Sequence, residues 1–151
     1  SDNGGSFVLG EDIHNHQPLV DASKNILRQA IFTIKEGVRI SESGHIIESE
    51  ANKKGFQVIR NLAGHGVGRN LLEEPSSILN YRVRINRQCF KKNTTVAIET
   101  FISTDSSLAV ETDDDWTLIG NHGGYIAQHE HTILVTDAEP IILTAANGIW
   151  N

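Results

Sequence analysis

Four places in this sequence carry side chains able to hold a cation: Asp2, the segment Gly64-His65-Gly66-Val67-Gly68, Glu99 within Ile98-Glu99-Thr100, and the run Gln128-His129-Glu130-His131-Thr132. A zinc finger needs paired ligands a few residues apart, and the wide separation of these clusters excludes one. Glu99 and Glu130 sit in apolar, strand-like surroundings, where an ionised carboxylate is costly unless a cation or hydrogen-bond donors compensate it. The glycines flanking His65 let the backbone come close to a ligand and predict a turn that exposes the imidazole. Alternation along a strand sorts the last cluster: His129 and His131 share one face and Glu130 takes the other, so the three cannot all ligate one ion.

Each signal has a plainer reading when taken alone, since a Gly-His-Gly turn is commonly an ordinary loop and a single strand Glu commonly faces solvent. Other chemistry-bearing residues read as unremarkable. His14, His16 and His45 lie in polar or helical contexts and are expected at the surface. Cys89 has no His-based activation motif beside it and reads as a small packed or exposed residue. Asp113-Asp114-Asp115 reads as a solvated turn, because no EF-hand spacing follows it.

The elements that must position these groups are legible in outline. Leu19, Ala22, Ile26, Leu27, Ala30, Ile31 and Ile34 recur at helical spacing after Pro18, predicting an amphipathic helix that ends near Gly37. A more polar helix fits residues 41–54, with Ser41 as its cap and Gly55 as its stop. Residues 56–59, 95–102, 116–119, 124–135 and 141–143 are short, β-branched and partly alternating, and read as strands. Two helices packed on one face of an antiparallel sheet make an α+β domain. A chain of 151 residues without repeats or a linker is one domain, residues 1–151.

Composition narrows the partners. Thirteen basic residues against nineteen acidic give a net charge of -6, with no Lys/Arg run to track a phosphate backbone, so no nucleic-acid partner is expected. One cysteine allows no intrachain disulfide, which fits a reducing cytoplasm. No apolar run approaches the roughly 20 residues of a membrane span. The sequence opens without an initiator Met or a leader and runs almost directly into a strand, so further sequence is expected upstream.

Taken together and in order, Gly64-His65-Gly66-Val67-Gly68, Glu73-Glu74-Pro75, Val96-Ala97-Ile98-Glu99, Trp116 and Ala127-Gln128-His129-Glu130-His131-Thr132 resemble the type I methionine aminopeptidases, especially those of Gram-positive bacteria. The opening from Asp2 to Asp12 is similar to that family's second-aspartate strand. The resemblance implies the C-terminal half of a pita-bread fold and a metallo-exopeptidase that removes N-terminal methionine by means of a water shared between two divalent ions (Mn, Fe, Co or Zn). It implies Asp2, His65, Glu99 and Glu130 as metal ligands, Glu99 also as general base, and a fifth ligand upstream. By the same pattern Asp2 and Glu130 bridge both ions, while His65 and Glu99 complete the shell of one. Trp116 and Leu71 match positions of the methionine pocket, though both could instead be ordinary core. The implied substrates are peptides with N-terminal methionine, including nascent chains emerging from ribosomes in the cytoplasm.

Three positions depart from the family pattern. Leu72 stands where the family places a His that donates a hydrogen bond to the substrate, and leucine has no donor. Thr100 replaces the usual Pro after the first Glu, and Asn3 the usual Thr after the second Asp; neither removes a ligand. Leu72 and the expected upstream half together leave a second reading, a degenerate pita-bread module that binds peptides without turnover.

Overall fold

The structure is a computed structural model that describes residues 1–148. In chain order it contains β1 (Asn3–Gly5), α1 (Gln17–Ile31), α2 (Ile40–Lys53), β2 (Gln57–Val58), β3 (Ala63–Val67), β4 (Glu73–Leu79), β5 (Thr95–Ser103), β6 (Ala109–Glu111), β7 (Leu118–Gly120), β8 (Ile126–Leu134) and β9 (Ile141–Ile142), with a 3-10 turn at Ala145–Asn147. The main sheet runs β1-β8-β5-β3-β4, with β2 paired to β5 and β9 to β8. Every pairing in it is antiparallel, and β6 and β7 form a separate hairpin. This is the expected α+β arrangement.

Both helices form where apolar spacing asks for them. Leu19, Ala22, Ile26, Leu27, Ala30 and Ile31 make the buried stripe of α1, and Ile47 and Ala51 continue it on α2. The stripe packs on the sheet face that carries Val96, Ile98 and Ile102 of β5 with Ala127 and Ile133 of β8. One polar pair is sealed into this layer, the Ser23 and Thr100 hydroxyls at 2.8 Å. The helix α1 stops at Ile31 rather than near Gly37, but Ile34 in the following turn is still buried.

Three sequence expectations change. Arg39, in an extended conformation, precedes α2, and Ser41 lies inside the first turn instead of capping it. The helix starts there because the Ile40 N–H donates to the Gln88 carbonyl at 2.9 Å, beside a bridge between Arg39 and Cys89. Glu73-Glu74-Pro75-Ser76-Ser77 showed no strand pattern, yet it forms most of β4. Its place at the end of the sheet order explains how Pro75 is tolerated there.

The third change concerns the site directly: Gly64-His65-Gly66 is not an exposed turn but the middle of β3, and His65 is buried. The glycines serve the sheet rather than a ligand. A Cβ on Gly64 would stand 2.3 Å from the Ala97 carbonyl oxygen, and one on Gly66 would stand 2.2 Å from that of Glu74. Backbone, unlike a flexible side chain, cannot swing aside. Gly66→Ala is therefore expected to lower the unfolding free energy by about 2–3 kcal/mol through overpacking. Urea denaturation measures it, and a change within about 0.5 kcal/mol, the range of neutral surface substitutions, would refute this account of the glycines.

Candidate metal centre

The sheet face turned away from the helices gathers the four ligand-type residues. Thr100 reaches Ser23 on the helix side, so Glu99 beside it points the other way. Glu99 lies directly opposite Glu130 across the β5–β8 ladder, and His65 lies opposite Ala97, two residues before Glu99. The strand β1 pairs with β8 from the other side and brings Asp2 alongside. One ligand atom each from Asp2, His65 and Glu130 lies within 4.8 Å of the others. His65 Nε2 is 3.5 Å from Glu99 Oε1 and 3.8 Å from Asp2 Oδ2. Four residues from four strand segments thus converge.

Neighbouring groups hold them there. His65 Nδ1 lies 2.9 Å from the Gly66 carbonyl oxygen; a carbonyl only accepts, so Nδ1 donates there and Nε2, the nitrogen turned toward the carboxylates, is the one able to ligate a cation. The Thr132 hydroxyl accepts from the Asp2 N–H at 2.7 Å and donates to the Asp2 carbonyl at 2.6 Å, fastening that residue to β8. Gln128 Nε2 donates to Glu130 Oε2 at 3.1 Å. The other oxygen, Oε1, is buried and has no hydrogen-bond partner among the described residues. Gln128 and Thr132 were part of the sequence motif but given no role of their own there, although each lies two residues from Glu130 and hence on its face.

The electrostatics follow from crowding. Burial, then the charges of Glu130 and Asp2, push the Glu99 carboxyl up to about 8. Burial, then Asp2, push Glu130 up to about 7, with the Gln128 hydrogen bond pulling the other way. Without a compensating cation both would hold protons near neutral pH. A divalent cation fits this set: three carboxylates and one imidazole supply donors of the type that Mn, Fe, Co and Zn accept, and the partnerless Glu130 oxygen supplies a lone pair.

The sequence profile of metallopeptidase family M24 matches residues 1–137. The chain belongs to this family. Methionine aminopeptidase 2 of Bacillus subtilis (strain 168) is 42% identical over 144 residues, which are 95% of this chain and 58% of that protein. The crystal structure of methionine aminopeptidase from Thermotoga maritima matches with a TM-score of 0.87 at 36% identity, over 93% of this chain and 56% of that one. The enzyme from Rickettsia prowazekii matches with a TM-score of 0.88 at 27% identity, over 95% and 58%. This M24 chain therefore spans somewhat more than half the length of the methionine aminopeptidases it matches, and the resemblance seen in its motifs is the one the comparisons return.

Other histidines of the M24 chain stand apart from the cluster. His129 and His131, on the helix side of β8, are both buried. Burial, then the Lys24 charge, lowers His129 to about 4; burial, then His129, lowers His131 to about 4. Both are neutral at pH 7. His131 Nδ1 lies 2.7 Å from the Thr144 hydroxyl. His14 and His45 are exposed, and the half-buried His16 ring packs against Tyr125 with centroids 4.0 Å apart and planes tilted by 47°.

The three apolar residues assigned to the substrate side lie in exposed connections. Leu71 and Leu72 follow β3, and Trp116, 88% exposed, lies between β6 and β7. None is ordinary core. The turn that carries Trp116 is organised by Asp114, which accepts hydrogen bonds from Thr112, Trp116 and Thr117 and whose carboxyl these bonds hold well below the usual range. Among the described residues, no helix is long and apolar enough to cross a membrane.

Proposed function

We propose that this chain forms the cation-binding and proton-handling part of an aminopeptidase that removes N-terminal methionine from peptides and nascent chains in the cytoplasm. The observation that supports it best is the convergence of Asp2, His65, Glu99 and Glu130, with Glu130 Oε1 left without a partner. Asp2, His65, Glu99 and Glu130 are the residues that would hold divalent cations. Cations bound there would supply positive charge, which makes a water more acidic near neutral pH and favours negative charge developing on a peptide oxygen. Glu99 acts as general base, taking the water proton on its carboxylate and passing it toward the leaving amine. Trp116 and Leu71 would close on the methionine side chain, whose polarizable thioether packs well against aromatic and apolar groups.

The second reading, peptide binding without turnover, is favoured by Leu72, an exposed apolar side chain in place of a donor. One experiment separates the two. The protein at its natural length, supplied with Mn(II) or Co(II), is expected to release methionine from a Met-Ala peptide. Leu72→His is expected to raise the rate by about 10²-fold, the usual worth of one oxyanion donor. Peptide binding with no methionine release from the natural protein, and release only after Leu72→His, would favour the binding module instead.

A further inference from the structure

We propose that Thr132 is a positioning residue for the cation site: its hydroxyl, standing in for the backbone ladder, fixes where the Asp2 carboxylate lies. This role rests on the reading of Asp2 as a cation ligand and extends it to a residue that touches no cation. Of the four ligand-type residues, His65, Glu99 and Glu130 lie inside β3, β5 and β8, whereas Asp2 lies one residue before β1. The ladders that place the other three stop short of it.

Two segments share one edge of β8, while β5 occupies the other edge throughout. The strand β1 pairs there as Asn3 with His131, Gly4 with Glu130 and Gly5 with His129. Further along, β9 takes over, as Ile133 with Ile142 and Leu134 with Ile141. Carrying the β1 register one step back sets Asp2 opposite Thr132, the residue between the two pairings. The backbone of Thr132 is already taken: its N–H donates to the Thr144 hydroxyl at 3.1 Å, and its carbonyl accepts from the Leu143 N–H at 2.9 Å. The Thr144 hydroxyl is itself held beside His131 Nδ1, at 2.7 Å. What Thr132 has left to offer Asp2 is its side chain.

A hydroxyl both donates and accepts, so this one group can replace two ladder bonds. It accepts from the Asp2 N–H at 2.7 Å and donates to the Asp2 carbonyl at 2.6 Å, from a residue that is fully buried. With the backbone pinned at both groups, Asp2 Oδ1 accepts from the Asn3 N–H at 3.1 Å, and Oδ2 stands 3.8 Å from His65 Nε2. Removing the hydroxyl leaves the Asp2 N–H and carbonyl without the partner that aligns them, because the Thr132 backbone is committed to Thr144 and Leu143. A misplaced ligand binds its cation less tightly even when its own carboxylate is intact.

Mn(II) titrated into the full chain, with the free ion followed by its electron paramagnetic resonance signal, is the test. Thr132→Val keeps the shape of the side chain and loses both hydrogen bonds, and it is expected to weaken Mn(II) binding by about tenfold or more, the usual cost of losing a group that orients a ligand. Thr132→Ser keeps the hydroxyl and is expected to bind as the parent does. Asp2→Ala is expected to weaken binding by itself, and adding Thr132→Val to it is expected to cost nothing further, since Thr132 acts through Asp2. Should the valine variant fail to fold, Thr132→Ala set against Thr132→Ser asks the same question. Parent affinity in Thr132→Val or Thr132→Ala, or an undiminished second loss in the Asp2→Ala background, would overturn the positioning role and leave Asp2 a ligand. Parent affinity in Asp2→Ala would instead remove the ligand reading, and the role of Thr132 with it.

Discussion

Between pH 6.5 and 8 the cation-free protein is expected to lose about 2 kcal/mol of unfolding free energy, and a saturating divalent cation to remove that loss. The sign follows from the raised carboxyls, Glu99 at about 8 and Glu130 at about 7 against an ordinary 4.5. In the unfolded chain both are fully ionised above pH 6.5, whereas the folded chain still favours their protons. Folding then binds protons, so the stability they contribute is complete below 4.5 and falls as pH rises, until the folded carboxyls have ionised. His129 and His131 act in the opposite sense. Each is lowered to about 4 by burial, so its contribution is present above 6.5 and is lost as pH falls toward 4. Below 6.5 the two trends oppose and a broad maximum is expected; as pH rises beyond 6.5 the histidines become neutral in both states and the carboxyls set the slope. Urea unfolding in EDTA at half-unit pH steps, repeated with Mn(II), measures the slope. A flat profile in EDTA above pH 6.5 would mean that Glu99 and Glu130 do not crowd one another as described.

What the sequence disclosed depends on how each residue earns its place. The helices could be read because α1 buries a stripe at helical spacing, and β5 and β8 because β-branched residues crowd them. Glu99 and Glu130 stood out for the same reason, as charges in apolar runs. The strand β3 was hidden because its signal is inverted: glycine disfavours strands in general, but here neighbouring carbonyls come so close to Gly64 and Gly66 that no side chain fits. That contact is invisible until β4 and β5 are in place. Gln128 and Thr132 could have been found by stepping two residues from Glu130 along its strand, since they share its face. The exposure of Leu71, Leu72 and Trp116 depends on what lies against their loops, which residue type does not encode.

Glu99→Gln is expected to separate the two demands placed on this site. The amide keeps the shape of the carboxyl but cannot ionise, so at pH 8 the cation-free variant should be more stable than the parent by about 4 kcal/mol, while near pH 4, where the parent carboxyl is protonated in the folded and the unfolded chain alike, the two should nearly coincide. Stabilisation by Mn(II) should decrease but persist, because Asp2, His65 and Glu130 remain together. Methionine release, with Glu99 as the proposed base, should fall by about 10²–10⁴-fold, the span typical of general acid–base groups. Glu130→Gln is the sharper companion: that residue is common to the ligand trio and to the Glu99 contact, so Mn(II) stabilisation should vanish altogether. Thermal unfolding of both variants with and without Mn(II), set beside their peptide hydrolysis, reads all of this. If Glu99→Gln left the protein no more stable at pH 8 and hydrolysis intact, residue 99 would be neither a strained carboxyl nor a base. A gain in stability joined to a loss of turnover is the pattern expected when a charge is kept in a place that only a cation makes tolerable.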